Sequence, residues 1–325
     1  PSTLNHGRYP RLRATGHRQP CCHSRRRGVR DRIEFTMTFS ALALIFDRIR
    51  CRIPAVISVT TLIAAVFGWA LATAAPIKTE HVEVELVAAQ TALVAGQSAR
   101  IGLSIKHQPH WHTYWKNPGD SGYPTKVTWV LPKGFSVSEF AWPAPQRIYT
   151  GPIVNFGYDG NVLLVATLKV PGDAASGEKV TLKGKAEWLV CKDVCIPEDG
   201  EVSITLPVIA RPIVPMQETS SSQPVFAAAD ALVPKALNGW TASAAVAGRD
   251  LLIEIAPAAG AVALSRFDVF PEPEQITDPS VQKVYRTATG YAAALKLVDG
   301  AKVPPSFPLV ISAPESLDGG AKTGV

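Results

Sequence analysis

Along residues 76–325 apolar side chains recur at every second position between clusters of turn residues, the signature of strands rather than helices. In His81–Leu86, Val82, Val84 and Leu86 face one way while Glu83 and Glu85 face the other. Val180, Leu182, Ala186, Trp188 and Val190 share a face opposite Thr181, Lys183, Lys185 and Glu187. The same alternation runs through Leu164, Ala166, Leu168 and Val170, and through Val202, Ile204 and Leu206. Half-buried strands of this kind belong to antiparallel sheets with one face on a core and one in water. Asp159-Gly160 and Asp199-Gly200 reach positive φ cheaply, which predicts tight hairpins at both places. Many short strands so joined predict an all-β sandwich over residues 76–208.

Pro212, Pro215, Ser220, Ser221, Ser222 and Pro224 interrupt the alternation, a composition that predicts a linker over 209–224. A second, smaller β-sandwich-like domain is expected over 225–325. Its strands are predicted at Trp240–Val246, Leu251–Ala256, Leu264–Phe270, Val281–Arg286 and Tyr291–Val298, with Gly248 and Gly290 at turns. This half has no cysteine and no histidine, and no chemistry is assigned to it.

Charge changes the picture only at the N-terminal end. The whole chain is basic, with 33 Lys and Arg against 27 Asp and Glu, a balance that would suit nucleic acid or an anionic membrane. Residues 1–75 carry 12 Lys and Arg against 3 acids, and residues 76–325 carry 21 against 24. The body is therefore mildly acidic, and no nucleic-acid partner is expected. Residues 1–36 are Arg-rich and aperiodic, and read as an untranslated or disordered extension. From Met37 a leader follows: Arg48, Arg50 and Arg52 precede an apolar run from Ile53 to Trp69, and Ala72-Thr73-Ala74 offers small residues for a signal peptidase. A signal peptide over 37–75 is expected, with a membrane anchor at 53–69 as the other reading.

Export alters the cysteine arithmetic. Cys21, Cys22 and Cys51 precede the expected cleavage site, which leaves Cys191 and Cys195. Two cysteines three residues apart in an oxidising compartment are expected to form a disulfide. On one straight strand their Cα atoms would lie about 13 Å apart, too far for a bond that needs about 4.4–6.8 Å. The chain must turn between them, through a three-residue hairpin-type loop or a helical turn at Lys192-Asp193-Val194. As a staple, so short a loop contributes only about 2 kcal/mol in the chain-entropy account. A pair at the end of a strand is better placed for exchange with an incoming thiolate. Lys192 favours a thiolate, whereas Asp193, Glu187 and Glu198 oppose it.

A metal reading stands beside the redox one, because two thiolates suit Cu(I) and His107, His110 and His112 lie close together in sequence. On a strand His110 and His112 would share a face, which makes a site of two thiolates and one imidazole conceivable. Ordinary exposed strand histidines are the plainer alternative.

With those residues in view, the body resembles the N-terminal periplasmic region of the DsbD family of protein-disulfide reductases, in particular its ScsB-like branch. The likeness spans about residues 80–210. It rests on Trp111-His112-Thr113-Tyr114-Trp115-Lys116-Asn117-Pro118-Gly119-Asp120-Ser121-Gly122, on Trp129-Val130-Leu131-Pro132-Lys133-Gly134, on Trp142-Pro143-Ala144-Pro145 and on Asn155-Phe156-Gly157-Tyr158. It ends in Trp188-Leu189-Val190-Cys191-Lys192-Asp193-Val194-Cys195-Ile196-Pro197-Glu198.

The resemblance implies an immunoglobulin-like β-sandwich. In it Cys191 and Cys195 would take electrons from a membrane-embedded DsbD/ScsB-like donor and pass them to thioredoxin-like periplasmic acceptor proteins, as a protein-disulfide reductase component without cofactor, metal or small-molecule substrate. It also implies an aromatic loop that caps the pair, for which Trp142–Gly157 is the candidate. Tyr149 or Phe156 would be the cover, with Tyr158 and His112 as further neighbours and sandwich core as the alternative for each aromatic. The best-known members separate their cysteines by five residues and continue into a membrane domain and a thioredoxin-like domain. This chain has three between them and no span after Trp69, so it is expected to stand alone or in a split system. Copper tolerance and cytochrome c biogenesis remain open as settings.

Overall fold

The computed structural model describes residues 76–210, 222–261, 263–314, 317 and 323–324. The expected basic extension with Cys21 and Cys22, the expected leader with Cys51, and most of the expected linker lie outside the described residues.

The first body has twelve strands: β1 (Ile77–Lys78), β2 (Val82–Ala88), β3 (Leu93–Val94), β4 (Ser98–His107), β5 (His112–Gly119), β6 (Lys126–Val130), β7 (Ser136–Val137), β8 (Gln146–Thr150), β9 (Ile153–Asp159), β10 (Asn161–Lys169), β11 (Lys179–Cys191) and β12 (Cys195–Ile209). One sheet runs β1-β2-β4-β10-β7. The other runs β3-β12-β11-β5-β9-β8, with β6 also paired to β11. The two faces bury one core in which Trp115, Trp188, Phe156, Leu86, Ile101, Leu103 and Leu164 meet. Each such side chain contributes about 1.5–3 kcal/mol by leaving water. The inward residues of β2, β11 and β12 are those that the alternation predicts: Val82, Val84 and Leu86, then Leu182, Ala186, Trp188 and Val190, then Val202, Ile204 and Leu206. The fold is an immunoglobulin-like β-sandwich.

Two turn expectations need correction. Asp159-Gly160 is a turn, with Gly160 at φ 68°, but β9 and β10 belong to different sheets, so the dipeptide carries the chain across the sandwich rather than round a hairpin. Asp199-Gly200 is not a turn at all. Both residues lie within β12, opposite Glu187 and Ala186. A Cβ at Gly200 would come within 2.6 Å of Ile77 Cδ1, the tip of a side chain that would have to shift.

Only one face of β10 was expected to be covered, yet Leu163 and Val165 on its other face are buried as well. They are covered by a helix, α1 (Gln223–Leu232), whose Phe226 and Ala229 pack on them and on Ala89. Arg100 lies over the Phe226 ring at 5.0 Å and pairs with Asp230 at 2.5 Å. The expected linker end at 224 and second-domain start at 225 thus cut through a helix that packs on the first sandwich. A proline in its first turn starts this helix without losing a hydrogen bond, and the Pro/Ser-rich composition hid it.

The second body is a four-stranded sheet and a small companion. The larger sheet orders β13 (Thr241–Ala247), β14 (Asp250–Ala256), β17 (Tyr291–Leu297) and β16 (Thr277–Arg286). The smaller orders β15 (Asp268–Pro271), β18 (Leu309–Ser312) and β19 (Thr323–Gly324). Its core gathers Leu251, Ile253, Ile255, Phe267, Val269, Tyr291 and Leu295.

Phe270 leaves that body and enters the core of the first, edge-on to Phe156 at 5.0 Å and to Trp115 at 6.3 Å. Arg147 on β8 covers both Phe156 and Phe270 at 5.2 Å. It donates to Asp268 at 3.1 Å, to the Val269 carbonyl at 3.2 Å, to Gln282 at 2.7 Å and to the Pro279 carbonyl. The Asn117 amide donates to the carbonyls of Pro271 at 2.8 Å and Pro273 at 3.1 Å, and Lys116 pairs with Glu272.

Candidate functional site

The site is built at the tip of the β11–β12 hairpin, because pairing runs unbroken from Lys179 opposite Pro207 to Cys191 opposite Cys195. Side chains directly opposite in an antiparallel pair share a face, so the register itself brings the sulfurs together. They form a disulfide, with S–S 2.07 Å and Cα atoms 4.1 Å apart. Lys192-Asp193-Val194 closes the hairpin through a bond from Lys192 N to Val194 O of 3.1 Å. Of the two conformations that the spacing allowed, the chain adopts the hairpin. The two sulfur-bearing residues are unequally placed: Cys191 is 2% exposed, whereas Cys195 and the loop residues face solvent, Val194 at 61%.

β5 supplies the floor. Its first residue, His112, is paired with Cys191 on one side and with Asp159 on the other. Two residues on, Tyr114 shares that face and donates its hydroxyl to Cys191 Sγ at 2.7 Å, with Cys195 Sγ at 3.5 Å. Tyr114, Leu189 and Cys191 form a separate small apolar cluster. Burial pushes the Tyr114 hydroxyl above its ordinary pKa, with Ser121 opposing, so at neutral pH it stays a donor.

The Asn117–Gly122 segment explains how the Tyr114 ring is held. Gly122 has φ 95°, and a Cβ there would lie 2.4 Å from the ring. The turn itself is pinned by Asn155 Oδ1, which accepts from Ser121 N at 3.2 Å and Ser121 Oγ at 3.1 Å, and by Asp120, which accepts from Val154 N at 2.7 Å.

His112 is 2% exposed, and its Nε2 is buried without a hydrogen-bond partner. Its ring stands edge-on to Tyr114 at 5.4 Å. Burial lowers its pKa to about 4; neighbouring His107 adds to the shift and Asp159 opposes it. On the far strand, Glu198 ties the hairpin to the other sheet. It accepts from Trp188 Nε1 at 3.0 Å and Thr79 Oγ1 at 2.9 Å and meets His81 Nδ1 at 2.6 Å, while His81 stacks against Trp111 at 4.1 Å.

The expected cap is differently placed. Most of Trp142–Gly157 is the β8–β9 hairpin, not a loop over the sulfurs. Tyr149 is 67% exposed on β8, Phe156 lies in the core on Phe270, and Tyr158 is buried with its hydroxyl on the Pro143 carbonyl at 2.7 Å. The aromatic group that touches the sulfurs is Tyr114, which sequence reasoning quoted within a motif without giving it a role. The shared face with His110 is also corrected: His110 sits in a turn at φ 74°, before β5 begins. His107 is engaged by the Gly160 carbonyl at 2.7 Å and Thr113 Oγ1 at 3.0 Å. Among the described residues no three His, Cys, Asp or Glu side chains gather as a metal site. No helix among them is long and apolar enough to cross a membrane.

Residues 83–207 match the family described as "Thiol:disulfide interchange protein DsbD, N-terminal". This region is a DsbD N-terminal domain. The N-terminal periplasmic domain of ScsB from Proteus mirabilis has a similar structure, at TM-score 0.56 and 17% identity over 74% of this chain and 92% of that one. That likeness shows a shared fold. The yeast GGA1 GAE domain aligns over 42% of this chain and 99% of its own at 14% identity, but its TM-score of 0.24 carries no structural argument. No curated protein matches the chain in sequence. The DsbD N-terminal domain covers the first sandwich only; the second body lies beyond the matched residues.

Proposed function

We infer that the chain is a periplasmic thiol–disulfide exchange protein that passes electrons through Cys191 and Cys195. The observation that carries this reading is the asymmetry of the pair, with Cys195 open at a hairpin tip and Cys191 buried beneath the Tyr114 hydroxyl. An incoming thiolate can reach Cys195, which faces solvent, and attack its sulfur. Cys191 then leaves with the bonding electron pair, and the Tyr114 hydroxyl is in place to stabilise the thiolate. Resolution of the mixed disulfide by the donor's second thiol returns two thiols here and a disulfide there.

The reduced pair hands the electrons on by the reverse sequence: Cys195 attacks an acceptor's disulfide, and Cys191 displaces the acceptor. A membrane-embedded DsbD/ScsB-like donor and thioredoxin-like acceptors suit that chemistry, because each presents a dithiol or disulfide rather than a small molecule. A leader over 37–75, or an anchor at 53–69, would deliver the domain to the compartment where such partners work.

Trapping tests the assignment. Cys191→Ser should accumulate mixed disulfides on Cys195, because nothing remains to resolve them, and Cys195→Ser should accumulate none. If neither variant captures a partner disulfide, the exchange reading fails.

A further inference from the structure

Resting on the exchange reading above, we propose that Asn117 is a positioning residue through which the second body holds the Tyr114 hydroxyl on Cys191 and so tunes how readily the disulfide opens. The Asn117 side chain is buried, and both ends of its amide are engaged. The nitrogen donates to the carbonyls of Pro271 at 2.8 Å and Pro273 at 3.1 Å, both in the second body. The oxygen accepts from Gly119 N at 3.1 Å, at the start of the turn that runs to Gly122. One side chain therefore fastens that turn to the other body.

The far end of the turn bears on the reactive end of the tyrosine. A Cβ at Gly122 would lie 2.4 Å from both Cε1 and Cζ of Tyr114, and Cζ is the carbon that carries the hydroxyl. Ser121 beside it acts on the hydroxyl itself. Tyr114 is fully buried under this turn, with its hydroxyl 2.7 Å from Cys191 Sγ. The anchor in the second body is stiff. Pro271 and Pro273 have fixed φ, Phe270 before them is seated in the first core, and Glu272 between them pairs with Lys116 on β5. Hydrogen bonds and packed atoms thus run from the two proline carbonyls through Asn117, Gly119 and Gly122 to the tyrosine on the sulfur.

The chemistry makes that placement matter. When a thiolate attacks Cys195 Sγ, the S–S bond breaks, Cys191 takes the electron pair, and negative charge gathers on a buried sulfur. An apolar surround disfavours that charge, and the Tyr114 O–H is the donor that offsets it. A hydrogen bond weakens steeply as its distance and angle degrade. A slack turn lets the hydroxyl drift off the sulfur and slows the opening without touching either cysteine.

Opening of the oxidised protein by dithiothreitol tests the proposal. One dithiothreitol thiolate attacks Cys195, and Cys191 leaves and takes a proton from water. The second dithiothreitol thiolate displaces Cys195, which is protonated in turn, and a cyclic disulfide departs. Tyr114→Phe should slow the opening by about tenfold or more, the contribution of one hydrogen bond to a charged group. Asn117→Ala should slow it by about fivefold, yet add nothing in the Tyr114→Phe background, because its effect passes through the hydroxyl. Asn117→Ser keeps an oxygen for Gly119 N but is too short to reach the proline carbonyls, and should be as slow as Asn117→Ala. A merely structural Asn117 would lower stability at an unchanged opening rate. That result, equal slowing in both backgrounds, a native rate in Asn117→Ser or a native rate in Tyr114→Phe would each overturn the proposal. If Asn117→Ala does not fold, Asn117→Ser with and without Tyr114→Phe decides the matter. All these outcomes leave the exchange reading standing, whereas a native bond that dithiothreitol fails to open would sink that reading and the proposal with it.

Discussion

The two β bodies of this chain share a construction principle and differ in what they leave unfinished. In the second, the buried set of Leu251, Ile253, Ile255, Phe267, Val269 and Leu295 is apolar, and its one buried tyrosine is spoken for: the Tyr291 hydroxyl accepts from Leu264 N at 2.7 Å. In the first, the hairpin tip buries a histidine with an open nitrogen and a tyrosine whose hydroxyl is spent on sulfur. Polar groups held at a stability cost beside a reactive bond mark a site, whereas a satisfied apolar core marks a support. β5 joins the two roles: His112 and Tyr114 at its start face the disulfide, and Lys116 and Asn117 near its end hold the second body.

The contrast is open to attack where the bodies meet. Phe270→Ala removes the ring that fills the space between Phe156 and Trp115, and should cost about 3–5 kcal/mol, read by denaturant unfolding. The loss should fall on both bodies, and exchange by the folded fraction should persist. If that folded fraction loses exchange as well, the second body is part of the chemistry rather than its support.

Next in size is the pH dependence that the polar tip confers on the first body alone. The His112 pKa falls from 6.5 unfolded to about 4 folded. The unfolded chain therefore binds the extra proton first as pH drops. The native state should keep its full stability above about pH 6.5 and lose on the order of 3 kcal/mol as the pH falls to about 4, with His107 shifting in the same direction. Chemical denaturation across that range should show this slope, and His112→Phe should reduce it while leaving the share of His107. A slope that the substitution leaves undiminished would assign the effect elsewhere.

The smallest effect separates an aromatic at the site from one beside it. Tyr149→Ala should change stability by less than about 0.5 kcal/mol, since the ring stands largely in water. It should also leave the rate at which oxidants consume the reduced pair unchanged. A faster loss of thiols would restore Tyr149 as a cap.

How far the chain disclosed itself in advance follows from the range of each interaction. The inward faces of β2, β11 and β12 were legible because a strand's side-chain period is local. Which strands lie together was not. Asp159-Gly160 announces a positive φ but not that its flanking strands join different sheets, and the glycine at 200 answers to Ile77, more than a hundred residues away in the chain. That the chain turns to close a disulfide was legible from the four-residue separation; that it does so as a hairpin rather than a helical turn was not. The Tyr114 contact was not, although alternation already put Tyr114 on the face of His112, because seeing it requires knowing that β5 pairs with β11 at Cys191. The α1 helix escaped because its sequence neighbours resist regular structure.

The most direct test of the central claim is the reduction potential of the Cys191–Cys195 bond, measured against a glutathione or dithiothreitol buffer at neutral pH. A pair that cycles between bonded and free thiols should equilibrate above about −300 mV, within reach of cellular dithiol donors. A value well below that would make the bond a permanent clasp at the hairpin tip and contradict the account.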